Sequence, residues 1–136
     1  MTRDAWTEHL RNVPLFDDFD NDDFRHLSRI TTELQVKAGK TVMRKDTIGH
    51  ELVIVLDGEL EVTRDGEHVA DITRGGFAGE MSLLTHMPRN ATVTAKTDAT
   101  LLVIDGRGFA TLLHDVPELA VKMLPVVAKR VYHEGA

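Results

Sequence analysis

The sequence predicts a mainly β fold, an eight-stranded jelly roll with helices at both ends. Three observations carry this. Short β-branched runs punctuated by glycine fill residues 34–105, helical periodicity flanks them, and strands do not alternate with helices. The 136 residues are enough for one domain with one core and too few for two ordinary ones. The division expected within this single domain, 1–136, is N-terminal helices over 1–31, a barrel over 32–105 and C-terminal helices over 106–136.

Trp6, Leu10 and Val13 recur at helical spacing until Pro14 stops the pattern, and Asn21 is placed to cap a second helical segment carrying Phe24, Leu27 and Ile30. The strand-like runs TVMRK, LVIVL, ELEVT, HVADI, ATVTAKT and TLLVI follow. Asp57-Gly58 and Asp65-Gly66 lie between such runs and tolerate the positive φ of tight hairpin turns, so antiparallel neighbours are expected. After Gly108, Phe109, Leu112 and Leu113 mark a helix. Pro117 opens a longer one, PELAVKMLPVVAKRVYHEG, from a favourable first-turn position, and Pro125 is expected to kink it.

Composition narrows the function. A net charge of −6 opposes attraction to nucleic acid or anionic membrane, and there is neither an apolar run long enough to cross a bilayer nor a charged-then-apolar leader at Met1. The expectation is a cytoplasmic protein that by this domain alone binds neither nucleic acid nor membrane. With no cysteine, disulfides, thiolate zinc sites and a cysteine nucleophile are excluded. The seven histidines, His9, His26, His50, His68, His86, His114 and His133, show no HxH or i,i+4 spacing, so no metal centre is expected. Read as a calcium loop from Asp18, DDFDNDD puts Asp23 where glycine is needed and leads to Arg29 where glutamate is needed; it reads instead as a solvated helix start. Ser28 and Ser82 are the only serines and neither lies in GxSxG, so no catalytic residue is assigned and the protein is not expected to be an enzyme.

One stretch interrupts the barrel pattern. GGFAGEMSLLTHMPRN has no period-2 run, and Gly75, Gly76 and Gly79 permit close backbone approach. GEMSLL reads as a short helical turn, whose first N–H groups and positive dipole end favour an anion. Arg89 is suited to a bidentate grip on a phosphate. Glu80 would repel that phosphate, but as an acceptor-only carboxylate it suits a hydroxyl donor such as a ribose 2′-OH. A phosphate and a ribose hydroxyl in one site describe a nucleotide.

The stretch GEMSLLTHMPRNATV resembles the phosphate-binding cassette of the cyclic nucleotide-binding domain family, whose usual form is F-G-E-x-A/S-L followed by P-R-x-A-T-V. LRNVPLFDDFDNDDFRHL is similar to the family's N-terminal helical bundle, VKAGKTVMRK and LVIVLDGELEV to its early strands, and LLVIDGRGFATLLHDVPELA to its last strand and hinge. By this resemblance the cassette covers 76–93, Glu80 binds the ribose 2′-OH and Arg89 the cyclic phosphate, with Gly79, Met81, Ser82, Asn90 and Ala91 around them. The last helix would be a lid over the base. Its segment 131–134 is expected nearest the purine, with Tyr132 and Glu134 as the candidate contacts. The sequence also departs from the family. RKDTIGHE carries Asp46 and Thr47 where Gly-Asp is usual, Ala78 stands in place of Phe or Gly, and Asn90 in place of Ala, Ser or Thr. An amide both donates and accepts, so Asn90 does not choose a base by itself.

The resemblance implies a receptor for cyclic AMP, with cyclic GMP left open, that needs no cofactor. Ligand binding would move its C-terminal helices and change contact with an effector; Val126, Val127 and Val131 leave room for packing against a second copy. Two other readings compete. A ligand-free interaction domain that kept the fold is opposed by the intact Glu80 and Arg89, and a cupin-like metal-dependent enzyme by the missing histidine cluster.

Overall fold

The computed structural model describes residues 10–134, and for His133 and Glu134 the backbone only. Trp6 lies outside the described residues. Leu10 and Val13 are buried, as their spacing requires, and a 3-10 turn at Pro14–Phe16 leads to helix α1, Asn21–Ile30. The cap of α1 is Asp20, one residue before the position read from sequence. Asp23 N–H donates to Asp20 Oδ1 at 2.8 Å while Asp20 N–H donates to Asp23 Oδ2 at 3.0 Å. This reciprocal pair satisfies two helix-start donors with carboxylates at the positive dipole end, which explains the acidic run without any ion. The rings of Phe16, Phe19 and Phe24 then cluster, with centroids 4.9, 5.5 and 6.4 Å apart.

The strands are β1 Thr31–Val36, β2 Thr41–Met43, β3 Glu51–Asp57, β4 Leu60–Arg64, β5 Glu67–Ile72, β6 Phe77–Ala78, β7 Thr92–Ala95 and β8 Ala99–Asp105. They form two antiparallel four-stranded sheets, β1-β8-β3-β6 and β2-β7-β4-β5, consistent with a jelly roll. Asp65-Gly66 closes the β4–β5 hairpin, with Arg64 opposite Glu67 and both turn residues at positive φ. Asp57-Gly58 does not make the expected hairpin. β3 and β4 lie in different sheets, so this turn carries the chain from one layer to the other.

The run LVIVL lacks alternation because β3 is covered on both faces. Leu52, Ile54 and Leu56 pack with Phe16, Phe24, Leu27, Phe109 and Leu112 in a core between sheet and helices. Val53 and Val55 pack with Leu60, Val62, Ile72, Val93 and Leu101 between the sheets. Burial of each such side chain stabilises by about 1.5–3 kcal/mol, which fixes the register of β3 firmly.

Three helices complete the fold: α2 Glu80–Thr85, α3 Gly106–Asp115 and α4 Pro117–Glu134. Asp105 caps α3, accepting from Gly108 N–H at 2.6 Å. Pro125 sits inside α4 without ending it. Leu119 and Met123 bury one face of α4 in the helical core, and Lys122 Nζ donates to Pro14 O at 3.2 Å and pairs with Asp18 at 3.1 Å. Val127, further along α4, is half-buried against the same core.

Candidate functional site

Gly79 joins β6 to α2 at φ +97°, a left-handed conformation that favours glycine. A Cβ there would lie 2.6 Å from Glu51 O and 2.9 Å from Arg89 Nη1, so the missing side chain lets the arginine lie against the backbone. Glu80, the first residue of α2, is 1% exposed. A carboxylate this deep needs donors.

Arg89 is held by a neighbouring turn. Asp46 N–H donates to Arg89 O and Arg89 N–H donates to Thr47 O, each at 2.8 Å. These are the residues by which RKDTIGHE departs from the family pattern, and the turn they make grips the arginine's backbone. The guanidinium Nη2 donates to Glu51 O at 3.0 Å, and a Cβ on Gly49 would come 2.5 Å from Arg89 Cζ. Arg89 Nη1 is buried and has no hydrogen-bond partner among the described residues. Burial pulls the guanidinium's pKa below its ordinary value, opposed by the Glu51 and Glu80 carboxylates.

These groups share a cavity of about 190 Å³. Its apolar walls come from Met43, Val62, Ala70, Ile72, Ala78 and Val93, and its polar lining includes Asp71, Glu80, Ser82, Arg89 and Asn90. Of the residues singled out in the sequence, the structure brings Gly79, Glu80, Met81, Ser82, Arg89, Asn90 and Ala91 to this one cavity. Asn90 is also tied to the sheet, its backbone carbonyl accepting from Arg64 Nε at 2.9 Å. Tyr132 is 83% exposed and does not line the cavity, and the side chain of Glu134 lies outside the described residues.

The residue of α4 that does line the cavity is Arg130, which sequence reasoning missed. Its Nη1 pairs with Glu80 Oε1, its Nη2 donates to Phe77 O, and its guanidinium carbon sits 4.8 Å above the Phe77 ring. A signal was present. Met123, Val127 and Arg130 recur at i, i+4 and i+7, so a cation completes the stripe that begins with buried Met123 and half-buried Val127. A cation at such a position asks for a buried acid opposite.

The family model for the cyclic nucleotide-binding domain matches residues 33–115. The chain is 34% identical over 116 residues to the cAMP-dependent protein kinase regulatory subunit of Yarrowia lipolytica, an overlap of 84% of this chain and 31% of that relative. Among solved structures, one of PKAR CBD2 with Sp-2Cl-cAMPS bound has the same fold, with a TM-score of 0.82 at 21% identity over 98% of this chain and 91% of that one. The regulatory subunit of a cAMP-independent protein kinase A from Trypanosoma brucei gives 0.79 at 25% identity over 89% and 46%. By the family match over residues 33–115, this chain belongs to the cyclic nucleotide-binding domain family.

Proposed function

We propose that the cavity binds a cyclic nucleotide, cyclic AMP in the first instance, and releases it unchanged. The observation that carries this is the buried Arg89 Nη1, a charged donor without a partner among the described residues, in the same cavity as the buried Glu80. An unsatisfied buried donor costs about 1–3 kcal/mol, more when charged, and the oxygens of a cyclic phosphate would answer it. Glu80 gives one oxygen to Arg130, and a carboxylate has acceptor sites beyond that one for a ribose 2′-OH. The apolar walls suit the sugar and base, and the first turn of α2, with Gly79, Met81 and Ser82, completes the cradle with Asn90 and Ala91.

The regulatory step follows from Arg130. Because this α4 residue holds the carboxylate that would meet the ribose, capture of ligand and the position of α4 are linked. Val121 and Leu124, 66% and 64% exposed on α4, offer apolar surface to an effector domain or a second copy, and base contact by the segment 131–134 would complete the lid.

A second reading is a domain that keeps the fold without binding the nucleotide. It is favoured by Arg130 already satisfying Glu80, and by the likeness to a regulatory subunit whose kinase is described as cAMP-independent. Titration calorimetry with cyclic AMP and cyclic GMP separates the two. The proposal expects saturable one-to-one binding, tighter for cyclic AMP, with the nucleotide recovered intact by chromatography. No binding of either up to about 1 mM, an affinity worth only ~4 kcal/mol, would favour the second reading.

A further inference from the structure

Glu61 and Asp71 are directly opposite each other across β4 and β5, an arrangement in which like charges destabilise a sheet. Leu60, Val62 and Ile72 beside them are buried between the sheets, so alternation turns both carboxylates away from that core. The register slips just beyond this pair. Val62 opposes Ala70 but Thr63 opposes His68, leaving Val69 as the extra residue of a bulge. Strict alternation would turn His68 inward with Ala70; the bulge re-aims it to the face that Glu61 and Asp71 share. Each of the three residues thus offers one ligand atom, all within 4.8 Å of one another, and His68 Nδ1 lies 2.8 Å from Glu61 Oε2.

We propose that Glu61, His68 and Asp71 form a surface site for a first-row divalent metal ion of the zinc class. One imidazole nitrogen and two carboxylate oxygens are a borderline donor set of the kind zinc takes with a fourth position left to water. Bringing them to ligand distances of about 2.0–2.2 Å needs side-chain rotation only, since their side chains are 39%, 52% and 36% exposed. The ion would neutralise the opposed carboxylates, work now done by Lys96, whose Nζ is 3.4 Å from Asp71 Oδ2. Lys96 is therefore a competitor for the site. Chain spacing hid this cluster because its ligands meet through cross-strand register and a bulge. The site adjoins the cavity: Asp71 itself lines it, beside Val62, Ala70 and Ile72 of the same two strands.

The test is titration of zinc chloride into the full chain near neutral pH, in a buffer that does not ligate metals, by calorimetry and by NMR of the histidine rings. The expected result is one equivalent bound with the His68 ring signals moving first. His68→Ala and Asp71→Asn should each weaken binding by at least about tenfold, and Lys96→Met should strengthen it. The ring signals report on the unaltered chain, so the site is testable even where a variant unfolds. Absence of saturable binding below about 1 mM, binding that leaves the His68 ring unmoved, or equal affinity in His68→Ala would overturn the proposal.

Discussion

Arg130 is predicted to fasten the last helix to the barrel strongly enough to be measured in the unfolding free energy. Its partner Glu80 is 1% exposed and its own side chain 23%, so the pair is buried at the acid end and partly solvated at the base end. Removing one partner of a buried pair costs about 3–5 kcal/mol; the partial exposure of Arg130 brings the expectation for Arg130→Met to about 2–4 kcal/mol. Loss of the donor to Phe77 O and of the guanidinium over the Phe77 ring is included in that range, at about 0.5–1.5 kcal/mol each. Methionine keeps the aliphatic packing along Met123 and Val127, so the loss reports on the charge. Against a total stability of about 5–15 kcal/mol the effect is large. The assay is urea unfolding of the wild type, Arg130→Met, Glu80→Gln and the double variant. Glu80→Gln should cost less, because the longer arginine can turn its head to water, and the cycle should give a coupling of about 1–3 kcal/mol. Additive single effects, with coupling under about 0.5 kcal/mol, would show that α4 is not held by this pair in solution and would remove the proposed link between ligand and lid.

Other expectations follow from the same geometry. Glu80→Ala should bind cyclic AMP and its 2′-deoxy analogue alike, whereas the wild type should prefer the ribose by about 1.5–3 kcal/mol; equal preference in both proteins would put the ribose contact elsewhere. Gly79→Ala places a Cβ 2.6 Å from Glu51 O at a positive φ, and should lower stability by about 1–3 kcal/mol and weaken phosphate capture by displacing Arg89, as thermal unfolding and calorimetry would report. Asp98 accepts from Ala38 N–H and lies beside Lys37, which hold its carboxyl below the ordinary value. A depressed folded-state pKa gives stability that is present above the unfolded value and lost as pH falls through the folded one. Asp98→Asn should therefore flatten the acid side of the stability profile below about pH 4, and an unchanged profile would contradict this.

How much was legible in the sequence depended on how local each feature is. LVIVL announced a strand, and its unbroken apolar run fits the burial of every residue from Leu52 to Leu56. The cassette was equally plain, since Gly79, Glu80 and Arg89 lie within one short stretch and their chemical types already suggested a phosphate and a hydroxyl. β1 was not anticipated: TTELQV is largely polar, and its pairing with β8 rather than its own pattern makes it a strand. β6, two residues long, is set by pairing with Val53 and Ile54 of β3. Asp57-Gly58 looked like Asp65-Gly66, yet only the second closes a hairpin, because which sheet receives the next strand is decided by packing over the whole barrel. Arg130 escaped notice because its partner is 50 positions away along the chain. The stripe from Met123 through Val127 marks it as inward, but only the docking of α4 says which acid it meets.

Arg89 carries the proposed nucleotide site. Among the described residues its side chain makes one hydrogen bond, from Nη2 to Glu51 O, so Arg89→Ala should leave the fold intact while emptying the anion site. The measurement is calorimetric titration of cyclic AMP into the wild type and Arg89→Ala, each first shown to unfold cooperatively on heating. We predict one-to-one binding by the wild type and a loss of about 2–5 kcal/mol in the variant, roughly 30- to 5,000-fold in affinity. Equal affinity in the two folded proteins would contradict the assignment of this cavity as the nucleotide site.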